Sequence, residues 1–425
     1  MTTDYAIIAR VKVQQHPDPD VKFLAVGTVC NQTVIVSNNT ADGELGIFFP
    51  CELQLSEQFA KANNLIRKKD PVTGKNIGGM FEENRRVRPQ KFRGIVSYGF
   101  WCPLSYLARF GGDVSKLKEG TELKVWNKIP LCNKYYTAAT QKTLAGSRKN
   151  IKKVETYTYV FPEHQDTKHF LVYADHYKEG DEIIVTNKLH GTSQRVGINT
   201  QKKSLNWFQK IVSFVTRQKI DTSEVVQLSG TRRTVLNNNT SKGYHSRDFR
   251  DQAAAKLHMH MQPYMHVYFE LVGWEGPGGP SIMPPHNSEK LKEKHPYGKQ
   301  IIYSYGCTTG TYEIYVYRVS WVLPSGHEID WLWDDIVKWC KQANIKHVPV
   351  LDRFIYDGNK DALIKRIEAL SDGPDTICPD HPREGVCVRA NGNKWVCYKN
   401  KGYTFRVLED LIKDNPTYVD QEEIE

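Results

Sequence analysis

The alternation of apolar and polar positions changes character about a third of the way along the chain. Residues 5–13, 22–30, 33–37 and 45–49 are short β-type runs rich in Val, Ile, Leu and Phe. Turn-forming clusters such as His16-Pro17-Asp18-Pro19 and Asn38-Asn39 separate them. A polar, basic stretch from Lys61 to Glu83 follows, and residues 86–88 and 95–102 predict two further strands. Five or six short strands in roughly 130 residues fit a small closed barrel of the OB type. Residues 137–153 are polar and basic and read as a linker. From Val154 the runs lengthen to five to eight residues and alternate with helices, of which residues 332–343 and 361–370 repeat their apolar positions at helical spacing. In residues 202–219, Leu205, Phe208, Val212 and Val215 share one stripe with lysines at the ends, predicting a packed amphipathic helix. The expected class is α+β, with an OB-type β-barrel over 1–135, a linker over 136–158, and a larger domain of antiparallel sheets flanked by helices over 159–425.

Composition narrows the partners. A chain of 425 residues exceeds one typical domain, and 40% apolar with 11% aromatic residues supports packed cores. A net charge of +10 and a pI near 8.9 suit a polyanionic partner. No apolar run reaches the ~18 residues of a membrane span. Met1 to Tyr5 has neither the basic nor the apolar region of a secretory signal, so a cytoplasmic, intracellular location is expected. Nine cysteines without paired spacing fit reduced thiols. Cys378-Pro379-Asp380-His381 has one ligand-like gap but no second pair, so no zinc site is expected there.

The candidate chemistry centres on Lys188-Leu189-His190-Gly191-Thr192-Ser193, directly after the strand-like Ile183-Ile184-Val185. A lysine ending a strand, followed by a small turn and hydroxyls, suits a covalent nucleophile facing a phosphate. Taken alone it equally fits a surface hairpin. Four clusters follow it: Ser229 to Thr234 with Arg232; His266 to Gly273 with Glu270; the aromatic strand 314–319 with Tyr315 and Tyr317; and Glu384 to Val388 leading to Trp395 to Lys401. Singly, each fits an edge carboxylate, a core aromatic or a wet lysine. In this order they supply what nucleotidyl transfer requires: a nucleophile, carboxylates for ribose and metal, an aromatic face for a base, and cations for phosphates.

Lys188-x-His190-Gly191, Arg232, Glu270, Tyr315/Tyr317, Glu384 and Lys399-x-Lys401 resemble motifs I, Ia, III, IIIa, IV and V of the covalent nucleotidyltransferases, the ATP-dependent ligases and capping enzymes. Together with the leading barrel, Arg86 to Gly99 resembles the nick-sealing type 5 RNA ligases, which carry their OB domain first. The resemblance implies an ATP-grasp-like nucleotidyltransferase domain and these roles: Lys188 as nucleophile forming lysyl-AMP, Asn187 at the adenine edge through its backbone, and Tyr317 or Tyr315 stacked on the ring. Glu270 would hold the ribose, Arg232 ribose or phosphate, and Lys399 and Lys401 the phosphates. Glu384 would anchor Mg2+ or Mn2+ through water. ATP is the implied nucleotide, and the partner is RNA or an RNA–DNA duplex with a nick, bound by a monomer. Arg85, Arg86, Arg88, Lys91 and Arg93 are the expected nucleic-acid contacts, five cations between positions 85 and 93.

One position departs from the superfamily: His190 stands where aspartate is usual, bringing no fixed negative charge. Two alternatives stay open. A capping guanylyltransferase places its barrel after the core, whereas only Gly402 to Glu425 follows the last motif here. A catalytically inactive RNA-binding protein of the same fold need not keep Lys188, Glu270, Glu384, Lys399 and Lys401.

Overall fold

The computed structural model describes residues 5–68, 72–73, 78–136, 160–202, 207, 223–236, 248–291 and 296–409. Most of the expected linker, helix 202–219 and the acidic residues from 410 on lie outside the described residues, as does part of the 61–83 stretch.

The N-terminal strands form separate sheets. Glu122–Leu123, Ala6–Arg10, Leu45–Phe49 and Phe100–Pro103 make a four-stranded antiparallel sheet; Lys12–Gln15, Leu24–Val29 and Gln32–Ser37 make a three-stranded one. The run expected as one strand over 5–13 is broken at Val11. Its backbone bonds Glu44 and Gly43 instead, and its side chain is fully buried. The chain thereby passes from one sheet to the other. The expected strand 86–88 contributes only a bridge from Arg86 to Gln54, because the Arg85 backbone turns left-handed (φ 53°) just before it. Among the described residues these ladders do not close into one barrel, so the sheet-rich α+β class holds and barrel closure is not seen.

The remainder is built on two sheets. One runs Lys168–His169, Val396–Lys401, Gly385–Ala390, Glu182–Lys188, Val350–Ile355. The other runs Val235–Leu236, Ser223–Gly230, Thr192–Lys202, Met265–Gly273, Tyr312–Val322, Glu328–Asp330, with Lys346–His347 beside Tyr312–Val322. All nine residues of Met265–Gly273 are buried, which is why its sequence reads as almost unbroken apolar. Helix Trp333–Ala343 buries Trp333, Ile336, Cys340 and Ala343, one stripe at helical spacing, and ends at Asn344 in the left-handed conformation. Helix Lys360–Ser371 begins where the Asn359 side chain accepts the Ala362 N–H.

Alternation within Glu182–Lys188 decides where the chemistry faces. Ile183 and Val185 pack with Leu363 and Ile367 of helix Lys360–Ser371, whereas Ile184 joins the core around Phe269 and Val316 of the other sheet. Each such side chain contributes about 1.5–3 kcal/mol on leaving water, so a one-residue slip would forfeit both cores. Thr186 and Lys188 continue the Ile184 side, toward the space between the sheets.

The N-terminal sheets meet this body at a few polar contacts. Glu122 accepts hydrogen bonds from Lys168 Nζ and Tyr173 Oη, and Asn31 Nδ2 donates to the Leu171 carbonyl at 2.9 Å. Tyr173 in turn stacks on Tyr398, ring centres 5.2 Å apart and 8° from parallel. All nine cysteines are free. No helix among the described residues is long and apolar enough to cross a membrane.

Candidate active site

Cross-strand register brings three lysines to one sheet face. Lys188 pairs with Gly385, which pairs with Lys401; one step along, Thr186, Cys387 and Lys399 form the next row. Leu189 to Gly191 then carries the chain across to Thr192–Lys202 of the second sheet. This crossing is tight. A Cβ at Gly191 would stand 2.3 Å from the Leu271 carbonyl oxygen and 2.9 Å from the Glu270 side chain. Gly385 is equally constrained: its φ is 151°, and a Cβ there would stand 2.1 Å from the Asn400 carbonyl oxygen.

Glu384 is the electrostatic centre. Its Oε1 accepts from Lys188 Nζ, and its Oε2 lies 3.5 Å from His190 Nδ1. Burial pushes the Glu384 carboxyl up, but Lys188, then His190 and Lys401, more than offset this and hold it well below the usual carboxylate range. His190 sits behind the nucleophile rather than in the cleft: its backbone N–H donates to Tyr305 Oη at 2.6 Å and its ring packs edge-on against Tyr303 and Phe405. It orients the turn.

The second sheet supplies the opposite wall. Ser193 Oγ donates to Glu270 Oε2 at 2.7 Å, and Arg232 Nε donates to Ser193 Oγ at 3.3 Å. Burial raises the Glu270 pKa, opposed by Arg232, Lys188 and Ser193. Between the walls lies a cleft of about 610 Å³, open at its mouth, lined by Lys188, Ser193, Arg232, Glu270 and Tyr317 with Trp333 and Trp395. Tyr317 is the extra residue of a β-bulge: Phe269 pairs Val316 but Tyr268 pairs Arg318. Tyr315 does not line the cleft; it is buried in the core, with Lys346 Nζ 5.7 Å from its ring centre. Asn187 Nδ2 is committed to Asp375 Oδ2 at 2.8 Å and Thr376 Oγ1 at 3.2 Å, and its backbone N–H donates to the Pro349 carbonyl.

The two distal lysines differ. Burial, then Lys401, pushes Lys399 down to about 7. For Lys401 burial also lowers the pKa, but Glu52, Glu384 and Glu409 outweigh it and raise it. Glu52 comes from the N-terminal half, so that half contributes charge to this site.

Two comparisons bear on this geometry. The RNA ligase family matches residues 181–407, more than half of the chain and the whole run from Lys188 to Lys401. The chain belongs to the RNA ligase family. The expectation of an ATP-dependent ligase of the nucleotidyltransferase superfamily is borne out at that level. Three solved structures of Naegleria gruberi RNA ligase share the ligase's fold. A lysine-to-alanine mutant with ATP and Mn is 15% identical over 97% of this chain and 99% of that one, TM-score 0.59. The protein with PPi is 14% identical over 94% and 97%, TM-score 0.58. A lysine-to-methionine mutant with AMP and Mn is 14% identical over 96% and 99%, TM-score 0.57. No curated protein matches the chain.

The ligase's basic segment lies outside the family match and is not a bare row of charges. Arg85 donates to the Leu55 and Glu83 carbonyls, Arg86 lies 4.5 Å from the Tyr135 ring centre, and Arg88 pairs with Glu82 at 2.5 Å. Lys91 is half-buried on Gln90–Phe92, and Arg93 is exposed in the turn that follows. Cys378 and His381 hold no metal-type cluster; among the described residues the only such group is His190, His286 and Glu409.

Sequence reasoning missed several of the ligase's site residues. Ser193 closes the hexapeptide that begins at Lys188 and had no role there, yet its hydroxyl links Glu270 with Arg232. Asp166, 3.7 Å from Arg232 and 3.4 Å from Arg233, Tyr305 and Trp333 had no local signal, since each reaches the site from a remote segment.

Proposed function

We propose that this protein seals 3′-OH/5′-phosphate breaks, in particular nicks with an RNA 3′-OH strand, using ATP and a lysyl-AMP intermediate. The observation that carries the reading is the convergence of Lys188, Glu384, Glu270 and Arg232 on one cleft between two sheets. In the first step the Lys188 Nζ lone pair forms a bond to the α-phosphorus, the bond to the β-phosphate oxygen breaks, pyrophosphate leaves, and the amine proton passes to solvent. AMP then moves to the 5′-phosphate, and attack by the 3′-OH releases it. Glu270 and Arg232 hold ribose or phosphate, Tyr317 stacks on the base with Asn187 at its edge through the backbone, and Lys399 and Lys401 bind the phosphates. Tyr315 serves beneath this surface.

The donor set fits Mg2+ or Mn2+: Glu384 is kept ionised and Glu270 lies across the cleft, offering hard oxygen ligands. Such an ion, held by Glu384 through water, neutralises charge on the phosphates when bound. The N-terminal sheets, residues 1–135, act as an OB-type module gripping nucleic acid, joined by 136–158 to the catalytic domain at 159–425, and the protein works as a monomer.

The test is labelling with α-labelled ATP or GTP followed by a 5′-phosphorylated nicked duplex. Label from ATP that passes to the duplex and yields sealed product is expected. Label from GTP would indicate capping, and no label from either would indicate an inactive RNA-binding protein.

Two further outcomes follow from the geometry. With its pKa at about 7, Lys399 is mostly neutral at pH 8 before ATP arrives, and triphosphate favours its charged form. ATP binding should therefore take up protons above pH 7, and affinity should fall as pH rises through that value. Calorimetry at about pH 8 in buffers of different ionisation enthalpy should report uptake approaching one proton, absent in Lys399→Met. Second, Lys91→Ala with Arg93→Ala should weaken nick binding and flatten its log–log salt slope by about 0.7–0.9 per contact. An unchanged slope would move the interface elsewhere.

A further inference from the structure

We infer that His190, His286 and Glu409 form a binding site for a divalent transition metal of the zinc class, separate from the nucleotide cleft. The three come from distant segments: the turn after Lys188, the short strand His286–Asn287, and the end of helix Tyr403–Leu408. Their donor atoms lie within 4.8 Å of one another. His190 Nε2 is 3.3 Å from His286 Nε2, which is 3.4 Å from Glu409 Oε1. Zinc bonds of about 2.0–2.1 Å at the tetrahedral angle place neighbouring donors about 3.3–3.4 Å apart, so two edges of the coordination tetrahedron are already present.

The second nitrogen of His190 supplies an independent observation. Its Nδ1 faces Glu384 Oε2 at 3.5 Å, the arrangement in which a ligating imidazole is oriented by a carboxylate on its far side. Tyr303 and Phe405, with ring centres 4.8 and 4.9 Å away, fix the same imidazole from two sides. A plain hydrogen bond between two imidazoles accounts for one contact but not for all three groups. His286 Nε2 carries either one hydrogen or one lone pair, yet it faces both a ring nitrogen and a carboxylate oxygen. One cation satisfies all three donors. Two imidazoles select a borderline ion over Mg2+ or Mn2+, which prefer all-oxygen surroundings. Side-chain exposure of 9%, 12% and 32% for His190, His286 and Glu409 leaves the Glu409 side open for ion entry and a water ligand. His190, which departs from the superfamily aspartate, thereby gains a role aimed away from the nucleotide.

The experiment uses tag-free full-length protein, stripped with chelator and reloaded with Zn2+ or Co2+ in excess Mg2+. One Zn2+ per chain after gel filtration and a visible Co2+ spectrum of low-coordinate type are expected. His286→Ala and Glu409→Gln should each weaken binding by roughly 10-fold or more. Glu409→Gln changes a half-exposed group and keeps the test valid if His286→Ala does not fold. Wild type without stoichiometric zinc, or Glu409→Gln binding as tightly as wild type, overturns the site.

Discussion

Lys188→Ala is expected to take no label from α-labelled ATP under conditions where the wild type is labelled, a loss of roughly 10³-fold or more, because no other amine can replace a deleted nucleophile. Alanine also leaves Glu384 buried without its strongest cationic neighbour, so lost label could reflect lost structure. Lys188→Arg separates the two. It keeps a positive charge against Glu384, but guanidinium does not deprotonate and cannot attack phosphorus. The arginine variant should melt close to wild type and remain unlabelled. Labelled Lys188→Arg would remove Lys188 as the nucleophile.

Gly191→Ala should damage both stability and chemistry. The added methyl would lie 2.3 Å from the Leu271 carbonyl oxygen, a backbone atom paired within the second sheet, and 2.9 Å from the Glu270 and Val272 side chains. None of the three is a flexible tip that can swing away. Relief requires the turn to move, and overpacking of this kind costs about 1–3 kcal/mol. That turn joins Lys188 to the strand bearing Ser193, so displacement by even ~1 Å misaligns both walls at once, for which about 10²-fold in rate is a reasonable scale. Folded protein should be assayed below its melting temperature; wild-type labelling rates in that state would refute the tight crossing.

The order Lys188, Arg232, Glu270, Tyr317, Glu384, Lys399, Lys401 was legible because strand alternation and motif spacing are local, and cross-strand register then converts order into proximity. Helices Trp333–Ala343 and Lys360–Ser371 were legible within a residue or two for the same reason. The N-terminal half was less so. One apolar run over 5–13 serves two sheets, and nothing local marks Val11 as the corner. Tyr315 and Tyr317 looked equivalent at a spacing of two, but a bulge breaks that alternation, and a bulge is set by the partner strand. Arg85, Arg86 and Arg88 read as a charged surface, yet their partners are a carbonyl, a ring and a carboxylate that folding alone brings near. His286 and Glu409 sit far from any motif, and only the third dimension sets them beside His190.

Glu122 couples the two ends of the molecule. It holds Lys168 and Tyr173, and Tyr173 lies flat on Tyr398, the residue before Lys399. A duplex that immobilises the N-terminal sheets therefore also quiets the strand that presents Lys399. Part of the entropy lost in ordering the triphosphate site is then already spent when nucleic acid is bound, and the two ligands cooperate without any change of shape.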